Sequence, residues 1–352
     1  MNYYKNKLIS EKPFVTVIIP CLNEKDYISK CLDSVIASDY PKERLEILVM
    51  DGLSEDETRI ILERYANTYS YIKVFDNHKK ITPAALNIGV RNAKGEIIVR
   101  MDAHSTYEKD YISQCVKYLK EYNADNVGGM WITVPRNNSL SEKAIAFALS
   151  HSFGVGNAHY RIGWAKEPMW VDTVPYGCYH KKLFNEIGLF NENFPRNEDT
   201  EFNARLRKAG GKILLVPDIK VYYYVRSAFY KFCKHIFDNG FKVAEHLKLN
   251  ETIFSWRHFI PLIFVLSLIS FAILSFLFPG FLYLSLLIFG SYMVINFYFS
   301  GRISFKQKDI RYLLLMPIIF ISLHFTYGLG TLWGLLRTWG RMAVILKKGD
   351  SL

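Results

Sequence analysis

The stretch "EIIVRMDAHST", Glu96 to Thr106, decides how the fold is read. Glu96–Val99 is a β-branched run of the kind that forms a buried strand, and Asp102 and His104 stand just past its carboxyl end. In extended backbone, residues two apart point to the same side, so the pair is expected to reach one ion together. A turn aspartate followed by a surface histidine is the other reading, and this stretch alone leaves both open. Outward from it the strand type recurs in Phe14–Pro20, Leu45–Met50 and Ile72–Phe75. Between these runs, Tyr27, Ile28, Cys31, Leu32, Val35 and Ile36 recur at helical spacing, as do Ile60, Ile61 and Tyr65. Ala85, Leu86, Ile88, Gly89 and Ala93 do so more loosely. Strands alternating with helices predict an α/β fold with a mostly parallel sheet covered on both faces.

In open α/β sheets the ligand binds outside the carboxyl ends of the strands. The first strand leads into "PCLNEKD", the second into "DGLSEDET" and the fourth into "MDAH", so Asp51, Asp102 and His104 are expected to converge on one crevice. No G-x-G-x-x-G follows the first strand and no Walker lysine motif is present, which argues against a dinucleotide and against P-loop chemistry. A carboxylate ending the second strand can accept hydrogen bonds from a base or ribose. An acid with an imidazole suits Mn²⁺ or Mg²⁺, and such a cation would neutralise a diphosphate. Together they point to a nucleoside diphosphate, with the metal stabilising the leaving group.

Composition divides the chain. Of its 352 residues, 22% are charged and half are hydrophobic, and the apolar ones crowd toward the C-terminus. Phe259–Phe278 and Phe281–Phe299 hold no charged residue, and Tyr312–Leu336 holds none apart from the titratable His324. Each approaches the ~20 residues a helix needs to cross a bilayer. The net charge of +11 is spread along the chain, which suits anionic lipid headgroups, and no nucleic-acid-binding motif accompanies it. Five cysteines, an odd number with no C-x-x-C pair, predict a reducing compartment rather than disulfides or zinc. With a polar N-terminus in place of a signal peptide, the expectation is a multi-pass protein of the cell (inner) membrane whose catalytic part faces the cytosol.

Four longer stretches, "VTVIIPCLNEKDYISKCLDSV", "EILVMDGLSEDET", "ITPAALNIGVRNAKGEIIVRMDAH" and "NEDTEFNARLRKAGGKILL", resemble the family 2 glycosyltransferases of the GT-A nucleotide-sugar fold. The resemblance runs roughly from Phe14 to Val225. "RMDAH", "ADNVGGMW", "SHSFGVGNAHYR" and "VDTVPYGCYHKKLFNEIGLFNE" are most similar to the succinoglycan-biosynthesis type, which adds glucose to a polyprenyl-diphosphate-linked sugar at the cytosolic face. It implies that Pro20, Cys21, Asn23 and Glu24 hold the base and ribose of a UDP-sugar, with Asp51 reading uracil beside Gly52. Asp102 matches the first acid of the family's D-x-D signature, and His104 stands where a second aspartate is commoner. An aspartate–histidine metal pair for Mn²⁺ or Mg²⁺ is implied. Asp199 matches the general base of an inverting displacement, with Glu198 as the second choice. Like charge among Glu198, Asp199 and Glu201 would raise one pKa; equally, acids suit the first turn of a helix there. Tyr176, Gly177 and Cys178 are read as the acceptor side, since small residues let a sugar approach backbone. His159 and Arg161 are read as a loop over the diphosphate, or as a simple surface loop.

Three regions are expected: a GT-A domain over 1–226, an amphipathic interfacial region over 227–257, and a membrane region over 258–352. In the second, Phe229, Phe232, Cys233, Ile236 and Phe237 recur at three- and four-residue steps among Lys231, Lys234, Lys242 and Lys248. In the third, Pro279 and Gly280 join 259–278 and 281–299 into a hairpin, and Arg302, Lys306, Lys308 and Arg311 mark the next loop as cytosolic. If 312–336 crosses fully, Arg337, Arg341, Lys347 and Lys348 fall outside, against the positive-inside tendency. Gly328, Gly330 and Gly334 leave room for a kinked or re-entrant course instead, and the sequence leaves both courses open. Two alternatives remain beside transfer to a polyprenyl-linked acceptor: a polyprenyl-phosphate sugar synthase, and a non-catalytic scaffold or sugar-nucleotide sensor. A processive synthase is disfavoured, because neither Gln114 nor Gln307 begins a Q-x-x-R-W signature.

Overall fold

A computed structural model describes residues 12–137, 139–163, 165–225, 229–246 and 256–349. The chain groups into two compact units, residues 12–132 with 159–224, and residues 133–158 with 225–349.

The first unit opens with β1 (Val15–Cys21), α1 (Ile28–Ile36), β2 (Leu45–Asp51), α2 (Thr58–Thr68), β3 (Ile72–Asp76), α3 (Thr82–Asn92) and β4 (Ile97–Arg100). These four strands pair in parallel in the order β3-β2-β1-β4. Register aligns Cys21 with Asp51 and Asp51 with Asp76, so three carboxyl ends meet along one edge. β1 shows why the run is apolar on both sides. Val15, Val17 and Ile19 pack with Ile28 and Leu32 of α1, whereas Ile18 packs with Leu86 and Val90 of α3. A sheet buried on both faces gives a continuous hydrophobic run rather than alternation.

Beyond β4 the chain runs through β5 (Ser105–Tyr107), α4 (Tyr111–Glu121), β6 (Asn126–Val134), α5 (Leu140–Leu149), α6 (Ser152–Val155), α7 (His159–Ile162), β7 (Met169–Trp170), β8 (Cys178–His180), α8 (Leu183–Glu186), α9 (Glu198–Lys208) and β9 (Ile213–Tyr224). The strand order continues from β4 as β8-β6-β9-β5, with β7 on β9, and the pairs β4–β8, β6–β8, β5–β9 and β7–β9 are antiparallel. The expected mostly parallel sheet is therefore corrected to a mixed one. Antiparallel neighbours need no crossover helix, and these strands are joined without the regular helix-per-strand alternation of the first half. A second correction falls on the opening stretch. β4 stops at Arg100, and Asp102 and His104 lie in a turn before β5, so they are not alternate residues of one strand.

The second unit holds α5, α6, α10 (Phe229–His246), α11 (Ile260–Leu274), α12 (Gly280–Gln307) and α13 (Arg311–Gly349). Three helical stretches, Trp256–Leu274, Gly280–Gln307 and Arg311–Arg337, are long and apolar enough to cross a membrane. α13 is one continuous helix of 39 residues with Pro317 inside it, so the chain does not turn back at its glycines. The glycines serve close packing instead. A Cβ at Gly330 would lie 2.2 Å from the Phe237 carbonyl oxygen, and one at Gly334 would lie 2.7 Å from Ala244 Cβ. Gly240 of α10 answers them, 2.2 Å from the Tyr327 carbonyl oxygen by the same measure. Small residues let the two backbones approach. Phe232 and Ile236, on the α10 face expected to meet lipid, are buried within this unit, as are Val243 and Ala244, while Phe229 and Tyr230 stay exposed. Ser227 and Lys248, the ends of that expected amphipathic segment, lie outside the described residues, as do the side chains of Arg341, Lys347 and Lys348.

Candidate active site

The loops after β1 and β2 are latched together. Gly52 N–H donates to the Cys21 carbonyl at 2.8 Å, Asn23 N–H to Ser54 Oγ at 2.9 Å, and Glu55 N–H to Asn23 Oδ1 at 2.8 Å. Asn23 and Leu53 adopt left-handed φ values of 54° and 56°, conformations a non-glycine residue holds only when its surroundings fix it. Asp51 lies beneath this double loop with its side chain 1% exposed. Its Oδ1 accepts from Ser54 Oγ at 2.6 Å, and its Oδ2 faces Arg59 Nη1 at 3.4 Å. Pro20, Cys21, Asn23, Glu24, Asp51 and Gly52 are thus gathered at one edge of the sheet, and the Asp51 carboxylate is already engaged from within.

The second cluster is organised by Arg100, a residue the sequence reading did not single out. It ends β4, is 4% exposed, and its N–H donates to the Gly177 carbonyl at 3.0 Å. Its guanidinium meets Asp102 Oδ1 at 3.2 Å and Glu198 Oε1 at 2.8 Å, and pairs with Asp199 Oδ1. Four charged groups from β4, the following turn and the start of α9 are so drawn together. One guanidinium cannot neutralise three carboxylates, and burial adds a desolvation penalty on each charge. Burial accordingly pushes Glu198 up to about 7 against the opposing pull of Arg100, with the neighbouring Asp199 charge adding to the rise. Burial also raises Asp199, opposed by Arg100 and by a hydrogen bond from the Tyr176 backbone. Tyr176 and Asn197, beside the two acids, both hold left-handed backbone, with φ of 51° and 61°. The third acid separates from the others. Glu201 is buried but bonds Arg205 Nε at 2.5 Å one helical turn on, which gives it a structural part in α9.

Asp102 and His104 border this cluster. Asp102 N–H donates to Tyr107 Oη at 2.6 Å, which anchors the turn, and His104 Nδ1 lies 3.1 Å from Glu24 Oε1. A carboxylate on one imidazole nitrogen orients the ring and leaves its other nitrogen as the ligating one in metal sites. Among the described residues no group of three or more His, Cys, Asp or Glu side chains forms a metal cage. The pair nevertheless fits a divalent cation: Asp102 Oδ2 has no hydrogen-bond partner among the described residues, and phosphate oxygens can complete a hard cation's shell.

Tyr176, Gly177 and Cys178 are the residues read as the acceptor side. All three are buried, and Cys178 lies in the sheet, its thiol raised by burial and by Cys115. Gly177 makes room for the protein and not for a sugar, since a Cβ there would stand 2.3 Å from Tyr179 Oη and from Asn126 Oδ1. His159 and Arg161 fall on α7, and the Arg161 guanidinium lies over the Trp131 ring. Arg100 was legible in one respect: it is the single cation closing an otherwise apolar buried strand, a position that calls for a buried partner.

With this geometry in view, comparison with known proteins becomes specific. Residues 16–188 match the family model "Glycosyl transferase family 2". The succinoglycan biosynthesis protein ExoA of Rhizobium meliloti is 30% identical over 248 residues, 70% of this chain and 74% of that protein. The chain belongs to glycosyltransferase family 2. A further relative in this family of enzymes is the dolichyl N-acetyl-α-D-glucosaminyl phosphate 3-β-D-2,3-diacetamido-2,3-dideoxy-β-D-glucuronosyltransferase of Methanococcus voltae. It is 29% identical over 332 residues, 92% of this chain and 98% of that protein, so the similarity continues through the helical unit. Among solved structures, the mannosyltransferase PcManGT of Pyrobaculum calidifontis, in complex with GDP-Man and Mn²⁺, superposes with a TM-score of 0.60 at 19% identity, over 92% of this chain and 88% of that one. The family 2 enzyme described here therefore has the GT-A fold, followed by three candidate membrane spans.

Proposed function

We propose that this family 2 glycosyltransferase moves a sugar, with glucose the first candidate, from a UDP-sugar to a sugar carried on a polyprenyl phosphate or diphosphate, at the cytosolic face of the membrane and with inversion at the anomeric carbon. The observation that carries the acceptor class is the near full-length similarity, helices included, to a transferase whose named acceptor is a dolichyl-phosphate-linked sugar. The donor side is supported by the crevice at the ends of β1, β2 and β4, which gathers loop backbone, carboxylates and one imidazole.

In this reading Asp199 is the base. It takes the proton of the acceptor hydroxyl as that oxygen attacks the anomeric carbon. The bond from that carbon to the diphosphate oxygen breaks on the opposite face, and its electron pair leaves with the nucleotide. Arg100 fixes the Asp199 carboxylate in place and keeps it ionised against burial, while burial makes it a stronger base than an exposed aspartate. Glu198, protonated through much of the range below neutrality, relieves the excess negative charge around the single guanidinium. A divalent cation held by Asp102 and His104 would supply charge neutralisation for the departing diphosphate. Anchoring donor site and lipid-borne acceptor to one bilayer raises their effective concentration.

The test is transfer of radiolabel from UDP-glucose to membrane lipid extract, with and without Mn²⁺, then across other UDP-sugars and defined polyprenyl-linked acceptors. Label appearing on lipid-linked saccharide supports the proposal. Label on bare polyprenyl phosphate replaces it with a lipid-phosphate sugar synthase, and no transfer across the whole panel rejects it.

A further inference from the structure

Arg161 is set apart from the other arginine of this region by what surrounds it. Arg100 is saturated by three carboxylates. Arg161 has no carboxylate partner among the described residues, and its guanidinium lies 4.3 Å from the Trp131 ring centroid, 5.5 Å from that of Tyr160 and 5.7 Å from that of Tyr223. Trp131 and Tyr223 stack at 4.7 Å with their planes within 5°, which makes a packed aromatic floor for the cation. Two donors are left over: Arg161 Nη1 and Trp131 Nε1 are both buried without a hydrogen-bond partner among the described residues. Buried unpaired donors on a charged group are costly and uncommon, and they call for an acceptor that completes them.

The position of this floor is equally telling. His104 meets the edge of Tyr223 at 5.5 Å, and Trp131 meets Tyr176 at 5.0 Å, whose ring in turn lies 5.7 Å from the Arg100 guanidinium. The uncompensated arginine is therefore tied through two aromatic contacts to the metal-pair histidine on one side and to the carboxylate cluster on the other. A ligand that offers several oxygen acceptors and negative charge together is a phosphate ester.

We propose that Arg161, held on the Trp131–Tyr223 stack, is a phosphate-binding residue of the transferase site. Its occupant is an oxyanion of the donor's diphosphate or of the acceptor's lipid-linked phosphate, and the claim rests on the glycosyltransferase reading above. The rigid aromatic floor sets the direction of the guanidinium before the anion arrives, so little side-chain freedom is lost on binding. Lysine in its place would keep the charge but lose the planar stacking.

The experiment uses the full chain in lipid nanodiscs, comparing wild type with Arg161→Met and Arg161→Lys. Calorimetric titration with UDP, uridine and inorganic pyrophosphate, each with Mn²⁺, reads the donor arm; KM for a polyprenyl-phosphate-linked sugar reads the acceptor arm. A tenfold or greater loss of UDP and pyrophosphate affinity in Arg161→Met, with uridine unchanged, assigns the donor diphosphate. A tenfold rise in acceptor KM with donor KM unchanged assigns the acceptor phosphate. Arg161→Lys is expected to show a three- to tenfold share of either effect, and it decides the matter if the methionine variant does not fold. Values all within twofold of wild type, or a parallel loss of uridine binding, overturn the proposal. Wild-type protein that binds pyrophosphate but transfers no sugar defeats the functional reading while the pyrophosphate arm still decides Arg161. Protein that neither binds an anion nor transfers defeats both.

Discussion

The two units solve the burial of polar groups in opposite ways. The sheet unit gathers full charges, with Arg100 between Asp102, Glu198 and Asp199. The long helices of the other unit, α10 to α13, among the described residues, bury neutral groups. Asn296 Nδ2 donates to the Pro317 carbonyl at 3.2 Å, Ser300 Oγ to Asn296 Oδ1 at 3.3 Å, and His324 bridges Tyr292 Oη at 2.9 Å and the Phe153 carbonyl at 2.8 Å. The difference follows from what each unit must do. Ionised groups in an apolar interior are tolerated where chemistry needs them and partners surround them. Helices meant for lipid gain their packing from small residues and from neutral hydrogen bonds that do not oppose insertion.

The comparison is broken most severely at Asp199. Asp199→Asn keeps the shape and removes the proposed base, so transfer is expected to fall by about 10²–10⁴-fold with UDP affinity unchanged. Activity within tenfold of wild type would take the role of base away from it. Next in size is Arg100→Met, which strands one buried and two half-buried carboxylates. Chemical unfolding should show a loss of about 3–5 kcal/mol, partly restored by adding Glu198→Gln. A neutral effect would mean that the cluster is better solvated than its burial suggests.

A third prediction concerns pH. Glu198 titrates near 7 in the folded protein against an ordinary 4.5, so the fold binds this proton more tightly than the unfolded chain does. The stability it contributes is complete below 4.5 and is lost as pH rises through about 7. The melting temperature is expected to decline across that window, and Glu198→Gln should flatten the decline. An unchanged slope in the variant would assign it to other groups. The smallest effect belongs to the helical unit. Asn296→Leu should cost only about 0.6 kcal/mol, the scale measured for interhelical hydrogen bonds in membranes, and thermal unfolding in nanodiscs would detect anything much larger.

How much of this was legible in the sequence depended on how local each signal is. The runs that became β1, β2 and β4 announced themselves because strands buried on both faces are continuous and apolar, while β3, at the sheet edge, showed only the short run Ile72–Phe75. β8 is three residues long and β7 two, too short to carry any period, so the antiparallel half and the mixed character of the sheet were not readable. Asp102, Glu198 and Asp199 were named as candidates, and the structure brings them together. Their organiser was passed over because an arginine at a strand end looks like a solvated residue until its partners arrive from 99 positions away. Gly177 illustrates a related point. A glycine shows that something approaches closely, but not whether it is substrate or the protein's own Tyr179. The glycines of α13 likewise left room for a bend where they record a neighbouring helix.

One consequence concerns dissection of the molecule. The excursion 133–158 leaves the catalytic unit in mid-sequence and belongs to the helical one. Phe147 packs edge-on to Tyr312 at 5.3 Å, Phe153 lies 5.0 Å from Phe320, and the Phe153 carbonyl accepts from His324. Truncation after Tyr224 would therefore not release a clean soluble enzyme, because Ala144, Ile145, Ala148 and their neighbours would be left with their packing partners gone. A water-soluble version must also replace 133–158 with a short bridge from Ile132 to His159. The gene, in other words, cannot be cut once to separate catalyst from anchor: the anchor is stitched through it in two places.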